Sequence, residues 1–139
     1  MGLEENKDLI RRMSERLVDR ERAPVVTGER SAAIIHSPWG DTRPSRQSTA
    51  YLTAFPDLGN TIDLLLGEGD YVVRRWTNSG TFLNEFSHPD IGTFPPTGKR
   101  VRWSGVNIYR IEDGRVVEVW LHQDDLHLIR QLKGEVTVE

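Results

Sequence analysis

The sequence predicts an α+β domain in which helices pack on the concave face of a curved antiparallel sheet. Helical patterns come first, at residues 6–20 and 45–54, and strand patterns joined by tight turns follow. This order is typical of α+β folds, because hairpin-linked strands form one antiparallel sheet whose apolar face needs helices to cover it. Such a sheet closes over its helices like a cone, so an apolar cavity is expected inside. The length of 139 residues fits a single domain over 1–139.

Composition excludes several classes of function. Hydrophobic residues are 37% and charged residues 28% of the chain, which is typical of a soluble globular protein. The formal net charge of -3 gives no general attraction to nucleic acid or to anionic membranes. There is no cysteine, so disulfides, thiolate catalysis and cysteine-based zinc sites are excluded. No apolar run is long enough to span a bilayer and the N-terminus does not resemble a signal peptide, so a cytoplasmic location is expected.

The N-terminal third contains two predicted helices and one ambiguous segment. An apolar stripe at helical spacing predicts the first helix: Leu9, Ile10, Met13 and Leu17. The second helix, 45–54, starts at Ser45, a favourable N-cap residue. Between them, the short apolar run 32–36 could be a helix or a strand. His36 and Trp39 lie where this run gives way to a loop, and they could line a pocket mouth or simply pack there.

Two strands and a long loop are predicted in the middle of the chain. The segments 61–66 and 71–82 have strand composition and are separated by a turn cluster of Gly, Glu and Asp. Trp76 lies on the second of these strands. Residues 83–99 are rich in Pro, Gly and Asn, which predicts a loop with a solvated His88.

The rest of the chain is organised around the segment 100–132. Runs rich in Val, Ile, Trp and Tyr flank Glu112-Asp113-Gly114, and Asp-Gly between such runs predicts a tight hairpin turn. Pairing across this turn would put Glu118 near Tyr109 and Trp120 near Asn107. By alternation one sheet face would carry Trp103, Gly105, Asn107 and Tyr109 with Trp120, His122 and Asp124. Helical spacing of Leu126, Ile129 and Leu132 predicts a short closing helix.

This predicted face combines a carboxylate, an imidazole, an amide and a phenol with large aromatic side chains, which suits a small-molecule pocket. Asp124 could act as an acid or base there, or it could cap the closing helix, a role that Asp125 could share. His122 could be catalytic or a hydrogen-bonded core histidine. A metal site on His122 and Asp124 is not expected, because no third candidate ligand lies at a sequence spacing typical of metal sites.

Several short motifs occur in an order that resembles the SnoaL-like polyketide cyclases, which have the NTF2-like fold. The resemblance covers residues 45–134. It is carried by Ala54-Phe55-Pro56-Asp57-Leu58, Gly67-Glu68-Gly69-Asp70, Trp76-Thr77, Pro96-Thr97-Gly98-Lys99-Arg100, Tyr109-Arg110-Ile111-Glu112-Asp113-Gly114, Glu118-Val119-Trp120 and Asp124 with 126–132.

The resemblance implies a cone-shaped α+β barrel and cofactor-free acid–base chemistry, typically an aldol ring closure on a hydrophobic polyketide-like small molecule. Asp124 matches the family's acid/base position. The family's histidine usually lies on the preceding strand, where this chain has Asn107; His122, two residues from Asp124 on the same predicted face, is the expected catalytic partner here. The residues expected to contact substrate are Asn107, Trp103, Tyr109, Trp120, Trp76, His36 and Trp39. Relatives that hydroxylate or open an epoxide, and a non-catalytic NTF2-like binding module, are the alternatives.

The resemblance also implies a homodimer. The outer sheet face is expected to form its interface, because an apolar stripe there would be costly to leave in water. Alternation predicts that this face carries Arg102, Ser104, Val106, Ile108 and Arg110 beside Val117, Val119, Leu121 and Gln123. No nucleic acid, membrane, cofactor or metal is expected as a partner.

Overall fold

The computed structural model describes residues 2–17, 34–38, 40–42 and 45–136. Its helices are α1 Leu3–Leu17, α2 Ser45–Ala54 and α3 Asp125–Leu132. Its strands are β1 Ile34–Ser37, β2 Gly40–Thr42, β3 Gly59–Glu68, β4 Tyr71–Thr81, β5 Phe86–His88, β6 Gly92–Phe94, β7 Arg100–Glu112 and β8 Arg115–Gln123. The predicted α+β class is therefore confirmed, with a curved sheet and helices packed on it.

Six strands form the larger sheet in the order β2-β1-β8-β7-β4-β3, and β5 and β6 form a separate two-stranded hairpin. The sheet is curved but not closed into a barrel. Among the described strands, neighbours pair antiparallel except β1 and β8, which are parallel. The parallel pair attaches the β1–β2 hairpin to β8, where it forms one edge of the sheet.

The helices lie on one face of this sheet, called here the helix-covered face. α1 packs on β3 and β4, and α3 packs on β7. Ile10 and Met13 are buried, as the predicted stripe requires. Two clusters fill the interior: Ile10, Met13, Ile35, Val72, Tyr109, Ile111, Val116 and Val119 in one, and Ala50, Ala54, Phe55, Trp76, Phe82, Phe86, Val101, Trp103, Leu128 and Leu132 in the other. The opposite face of the sheet is called the open face.

The prediction of a loop over 83–99 is wrong, because this segment contains β5 and β6. Phe86 and His88 are buried while Ser87 between them is exposed, the alternation of a strand with one covered face. The ambiguous run near residue 34 is a strand, β1, over its described part.

The turn of the β7–β8 hairpin is the one predicted. Asp113 and Gly114 have φ of 51° and 75°. Positive φ at both central residues defines the type I′ turn, whose twist matches that of the two strands. The pairing of the strands beyond the turn differs from the prediction.

A β-bulge in β8 shifts the register of the hairpin. Ile111 pairs with Val116, but the next pair is Arg110 with Glu118, so Val117 is an extra residue. Since side chains alternate with a period of two, one extra residue moves every later side chain of β8 to the other face. Glu118 is therefore opposite Arg110, not Tyr109, and the shared-face prediction is wrong.

The shift redistributes the predicted pocket residues between the two faces. The helix-covered face carries Trp103, Gly105, Asn107 and Tyr109 with Val119, Leu121 and Gln123. The open face carries Arg102, Ser104, Val106, Ile108 and Arg110 with Glu118, Trp120 and His122. The expected outer stripe is thus right for β7 and wrong for Val119, Leu121 and Gln123.

Candidate active site

A small pocket of about 40 Å³, partly open to solvent, lies where the β1–β2 hairpin, α2, the β5–β6 hairpin, β8 and α3 meet. It is lined by Ser37, Pro38, Tyr51, His88, Ile91, Leu121, Gln123 and Asp125. This volume is smaller than that of a site for a drug-sized ligand, but apolar walls with a few convergent polar groups are typical of small-molecule sites.

Gln123 connects the polar groups of this pocket. Its Nε2 donates to Tyr51 Oη at 3.0 Å and to Asp125 Oδ1 at 2.7 Å. Its Oε1 accepts from the indole nitrogen of Trp103 at 3.1 Å. An indole N–H only donates and a carboxylate only accepts, so these two partners fix the orientation of the amide. Gln123 therefore holds the phenol and the carboxylate on one side of the pocket.

Tyr51 presents a neutral phenol. Burial raises its pKa far above the ordinary value of 10.0, because the phenolate would lose its hydration. The ring stacks on Trp103, with 5.6 Å between centroids, and contacts His88 edge-on at 6.0 Å. Because its oxygen accepts from Gln123, the hydroxyl hydrogen remains available for another acceptor. Tyr51 can thus donate a hydrogen bond to a developing negative charge.

His88 is the buried imidazole of the pocket, with 5% of its surface exposed. Its Nδ1 accepts from the backbone N–H of Asp90 at 3.1 Å, so the proton of the neutral ring lies on Nε2. Burial lowers the pKa of His88, opposed by the nearby charges of Asp90 and Asp125. The ring stacks on Phe86, with centroids 6.1 Å apart. The result is a neutral imidazole with one N–H donor.

The two adjacent aspartates at the start of α3 have different surroundings. Asp124 is the N-cap: its exposed side chain accepts from the backbone N–H of His127 at 3.1 Å. Asp125 is partly buried, lines the pocket and accepts from Gln123. The capping alternative for Asp124 is therefore confirmed, whereas its catalytic role stays a prediction. The carboxylate that the structure brings to the pocket is that of Asp125.

His122 and Trp120 lie on the open face, away from this pocket. His122 is exposed and pairs with Val106. Trp120 stacks on His36, with centroids 5.4 Å apart, and contacts the ring of Tyr71 at 6.3 Å. The catalytic role of His122 and the substrate contacts of Trp120 thus stay predictions.

His36 also belongs to the open face and not to the pocket wall. Its Nδ1 lies 2.7 Å from Asp41 Oδ1 and its Nε2 lies 2.6 Å from Glu118 Oε2. These hydrogen bonds, the one to Asp41 first, raise the pKa of His36 above 6.5. Its neighbours along β1, Ser37 and Pro38, line the pocket instead. Trp39 lies outside the described residues.

The other predicted contact residues form a buried hydrogen-bonded cluster beside the pocket. Asn107 accepts from the indole nitrogen of Trp76 at 2.9 Å and donates to the hydroxyl of Tyr109 at 3.1 Å. Asn107, Tyr109 and Trp76 are at most 8% exposed. Arg74, which the sequence analysis did not single out, lies against two of these residues. Its guanidinium carbon is 5.8 Å from the Trp76 ring centroid and 6.0 Å from that of Tyr109.

Sequence reasoning missed four pocket groups for identifiable reasons. The sequence does not decide which face of the second helix carries Tyr51, and alternation places Gln123 on the outer sheet face, which the register shift reverses. His88 carried a weak signal, the alternation with Phe86 around a polar residue. Asp125 could not be separated from Asp124 by type or spacing, because adjacent aspartates at a helix start compete for the same cap.

The described part of the chain contains no group of three or more His, Cys, Asp or Glu side chains that could hold a metal ion. Within the same residues, each helix is too short or too polar to cross a membrane.

A curved sheet with helices on one face, and beside them a pocket of apolar walls and a few polar groups, is the arrangement of the NTF2-like fold. The family model described as SnoaL-like polyketide cyclase matches residues 6–132. The chain therefore belongs to the SnoaL-like polyketide cyclase family.

Solved structures agree with this assignment. AclR from Streptomyces galilaeus, provisionally assigned as a hydroxylase, is 27% identical with a TM-score of 0.81, and the match covers 97% of this chain and 99% of AclR. IdmH from Streptomyces antibioticus, provisionally assigned as a polyketide cyclase, is 25% identical with a TM-score of 0.67, over 91% of this chain and 97% of IdmH.

An NTF2-like protein from Burkholderia thailandensis is 19% identical with a TM-score of 0.63, over 95% of this chain and 98% of that protein, and this likeness shows the fold alone. Comparison with curated proteins gives no match.

Proposed function

We propose that this protein is a cofactor-independent acid–base enzyme that closes a ring in a polyketide-like polycarbonyl substrate by an intramolecular aldol reaction. The observation that carries the proposal is the convergence of a carboxylate, a neutral imidazole and a neutral phenol on one pocket with apolar walls. Membership of the polyketide cyclase family supports the substrate class.

Asp125 is the proposed base. A methylene between two carbonyl groups is acidic, because the resulting enolate spreads its charge over both oxygens. The carboxylate of Asp125 takes that proton, and the enolate carbon forms a bond to a second carbonyl carbon of the same chain. The oxygen of that carbonyl becomes an alkoxide, which takes the proton back from Asp125. The reaction is balanced without any further reactant.

Tyr51 and His88 are the proposed hydrogen-bond donors. Both are neutral by virtue of burial, and each keeps one proton to donate, from Oη and from Nε2. Fixed donors aimed at an oxygen that gains charge stabilise the transition state more than the ground state. Gln123 is a positioning residue, since it holds both the base and the phenol.

A second candidate is hydroxylation of a related substrate. It is favoured by the 27% identity to AclR over nearly the whole of both chains. Proton removal by Asp125 would be a shared first step, so the pocket geometry suits both reactions. Hydroxylation adds one oxygen atom and needs dioxygen and a two-electron reductant as co-reactants, with the second oxygen atom leaving as water. Ring closure adds no atom and needs neither, so the two reactions differ in product.

Product analysis tests the proposal. Purified protein is incubated with polycarbonyl and anthraquinone-type polyketide intermediates, and products are followed by mass spectrometry and NMR. Ring closure predicts an isomer of the substrate, or that isomer less one water. A product with one added oxygen would establish the second candidate. Binding without conversion of any intermediate would support a non-catalytic module and contradict the proposal.

A further inference from the structure

Arg74 is a buried cation that the proposed reaction does not use. It is 2% exposed, on the helix-covered face of β4. An arginine does not lose its proton in proteins, so this side chain keeps its positive charge in the interior. Among the described residues no carboxylate forms an ion pair with it. A buried charge without a counter-charge destabilises the fold, so the presence of this charge in the interior indicates a functional role.

The Nε of Arg74 makes no hydrogen bond within the described part of the chain. Nη1 donates to Ser14 Oγ at 2.5 Å, and Ser14 in turn donates to the carbonyl of Ile10 at 3.0 Å. Nε is buried and has no hydrogen-bond partner. Within the described residues Ser14 is the acceptor recorded for this guanidinium. The edge that includes Nε can bind a carboxylate through two parallel hydrogen bonds.

Two aromatic rings flank the guanidinium of Arg74. The rings of Trp76 and Tyr109 lie close to its guanidinium. Aromatic rings hold a guanidinium by cation–π attraction without neutralising its charge. They stabilise the cation while leaving it able to bind an anion.

Arg74 lies in the same row of paired residues across the sheet as a residue that lines the active-site pocket. It pairs with Asn107 of β7, which pairs with Leu121 of β8, and Leu121 lines the pocket. With strands about 4.8 Å apart, the Arg74 backbone is about 10 Å from that of Leu121. A ligand that reaches from the pocket to Arg74 must span about this distance.

We propose that Arg74 binds a carboxylate on the substrate, so that the natural ligand is a polycyclic or polycarbonyl acid and not its neutral ester. The guanidinium edge at Nε takes the carboxylate while the reacting carbon lies near Asp125. This inference rests on the proposed function, because it assumes that the same pocket takes the substrate.

Binding of a matched acid and ester tests the inference. 3-Hydroxy-2-naphthoate and its methyl ester are titrated into the full chain by isothermal calorimetry. The wild type should bind the acid roughly 30-fold more tightly than the ester, the scale of losing one buried charge pair. Equal affinities, or no binding of the acid at millimolar concentration, would overturn the proposal.

Variants separate anion binding from a structural role. Arg74→Met should reduce acid binding to the level of the ester and leave the melting temperature unchanged or higher, because it removes an unpaired buried charge. Arg74→Lys keeps the charge but cannot donate two parallel hydrogen bonds to one carboxylate, so it should bind the acid with intermediate affinity. Unaltered acid binding in both variants would refute the assignment, whatever their stability.

Arg75→Met is the matched control, because it removes the same charge from the exposed neighbouring position of β4. It should bind the acid like the wild type, and an equal loss would show that net charge alone is responsible. Asp125→Asn should keep acid binding while losing turnover. Failure of anion recognition and failure of the proposed chemistry therefore give different results.

Discussion

The structure predicts that Gln123→Leu damages both stability and activity. The substitution removes the acceptor of the buried Trp103 indole and the donor that holds Tyr51 and Asp125. A buried donor left without a partner costs about 1–3 kcal/mol, and the added apolar surface offsets part of this. We expect a net loss of about 1–2 kcal/mol. For 139 residues the unfolding entropy is about 0.3 kcal/mol/K, so the melting temperature should fall by about 3–7 °C.

The fall in turnover of Gln123→Leu should exceed the fall expected from its loss of stability alone. Without Gln123 the base and the phenol lose their common anchor, and misplacement of reacting groups costs roughly 10- to 100-fold. Thermal unfolding by circular dichroism and single-turnover product formation measure the two effects. Turnover like that of the wild type in a folded Gln123→Leu would refute the positioning role.

Gln131→Leu is the matched control. Gln131 is buried and binds the backbone of Arg102 at both its N–H, 2.9 Å, and its carbonyl, 2.7 Å, which ties α3 to β7 away from the pocket. Its loss should destabilise the fold by a similar amount, about 1–3 kcal/mol, while the activity of the folded fraction survives. Equal losses of activity in both variants would show that stability alone controls turnover.

Three further predictions concern pH and assembly. The carboxylates around His36 raise its pKa, so protonated His36 stabilises the fold fully below pH 6.5, and this stabilisation is lost as the pH rises through the pKa of the folded state. In melting temperatures measured against pH, His36→Gln should abolish this loss. Burial lowers the pKa of His88, so neutral His88 contributes stability above pH 6.5, and this contribution is lost as the pH falls below 6.5. His88→Gln should therefore flatten the acid side of the plot of melting temperature against pH. An unchanged acid side would contradict the burial argument. The open face carries exposed Leu64 and Leu66 near Ile108, so we expect a homodimer there. Sedimentation should show the wild type as a dimer at micromolar concentration and Ile108→Asp as a monomer; a monomeric wild type would contradict this.

Much of the fold follows from local sequence signals. The stripe of α1, the N-terminal boundary of α2 and the Asp113-Gly114 turn all depend on neighbouring residues, and the structure has them near the predicted positions. The β5–β6 hairpin was missed because its strands are three residues long and lie among Pro and Gly. A strand so short has too few alternating positions to stand out from a loop.

The candidate site was harder to predict because it depends on register. The extra residue at Val117 gives no local signal, since Val suits either a regular strand or a bulge. That single residue moves His122 to the open face and Gln123 to the pocket. Arg74 was missed for a different reason: arginine in a strand is usually exposed, and its burial depends on Ser14 of α1, 60 residues away.

Comparison of two adjacent variants, Asp125→Asn and Asp124→Asn, tests the central claim most directly. Asparagine keeps the size and much of the hydrogen bonding of either side chain but cannot transfer the proton. Asn also caps helices nearly as well as Asp, so neither variant should unfold the protein. Turnover of a converted polyketide intermediate should fall by about 10²–10⁴-fold in Asp125→Asn and stay near the wild type in Asp124→Asn. The reverse pattern would contradict the account and assign the proton transfer to Asp124.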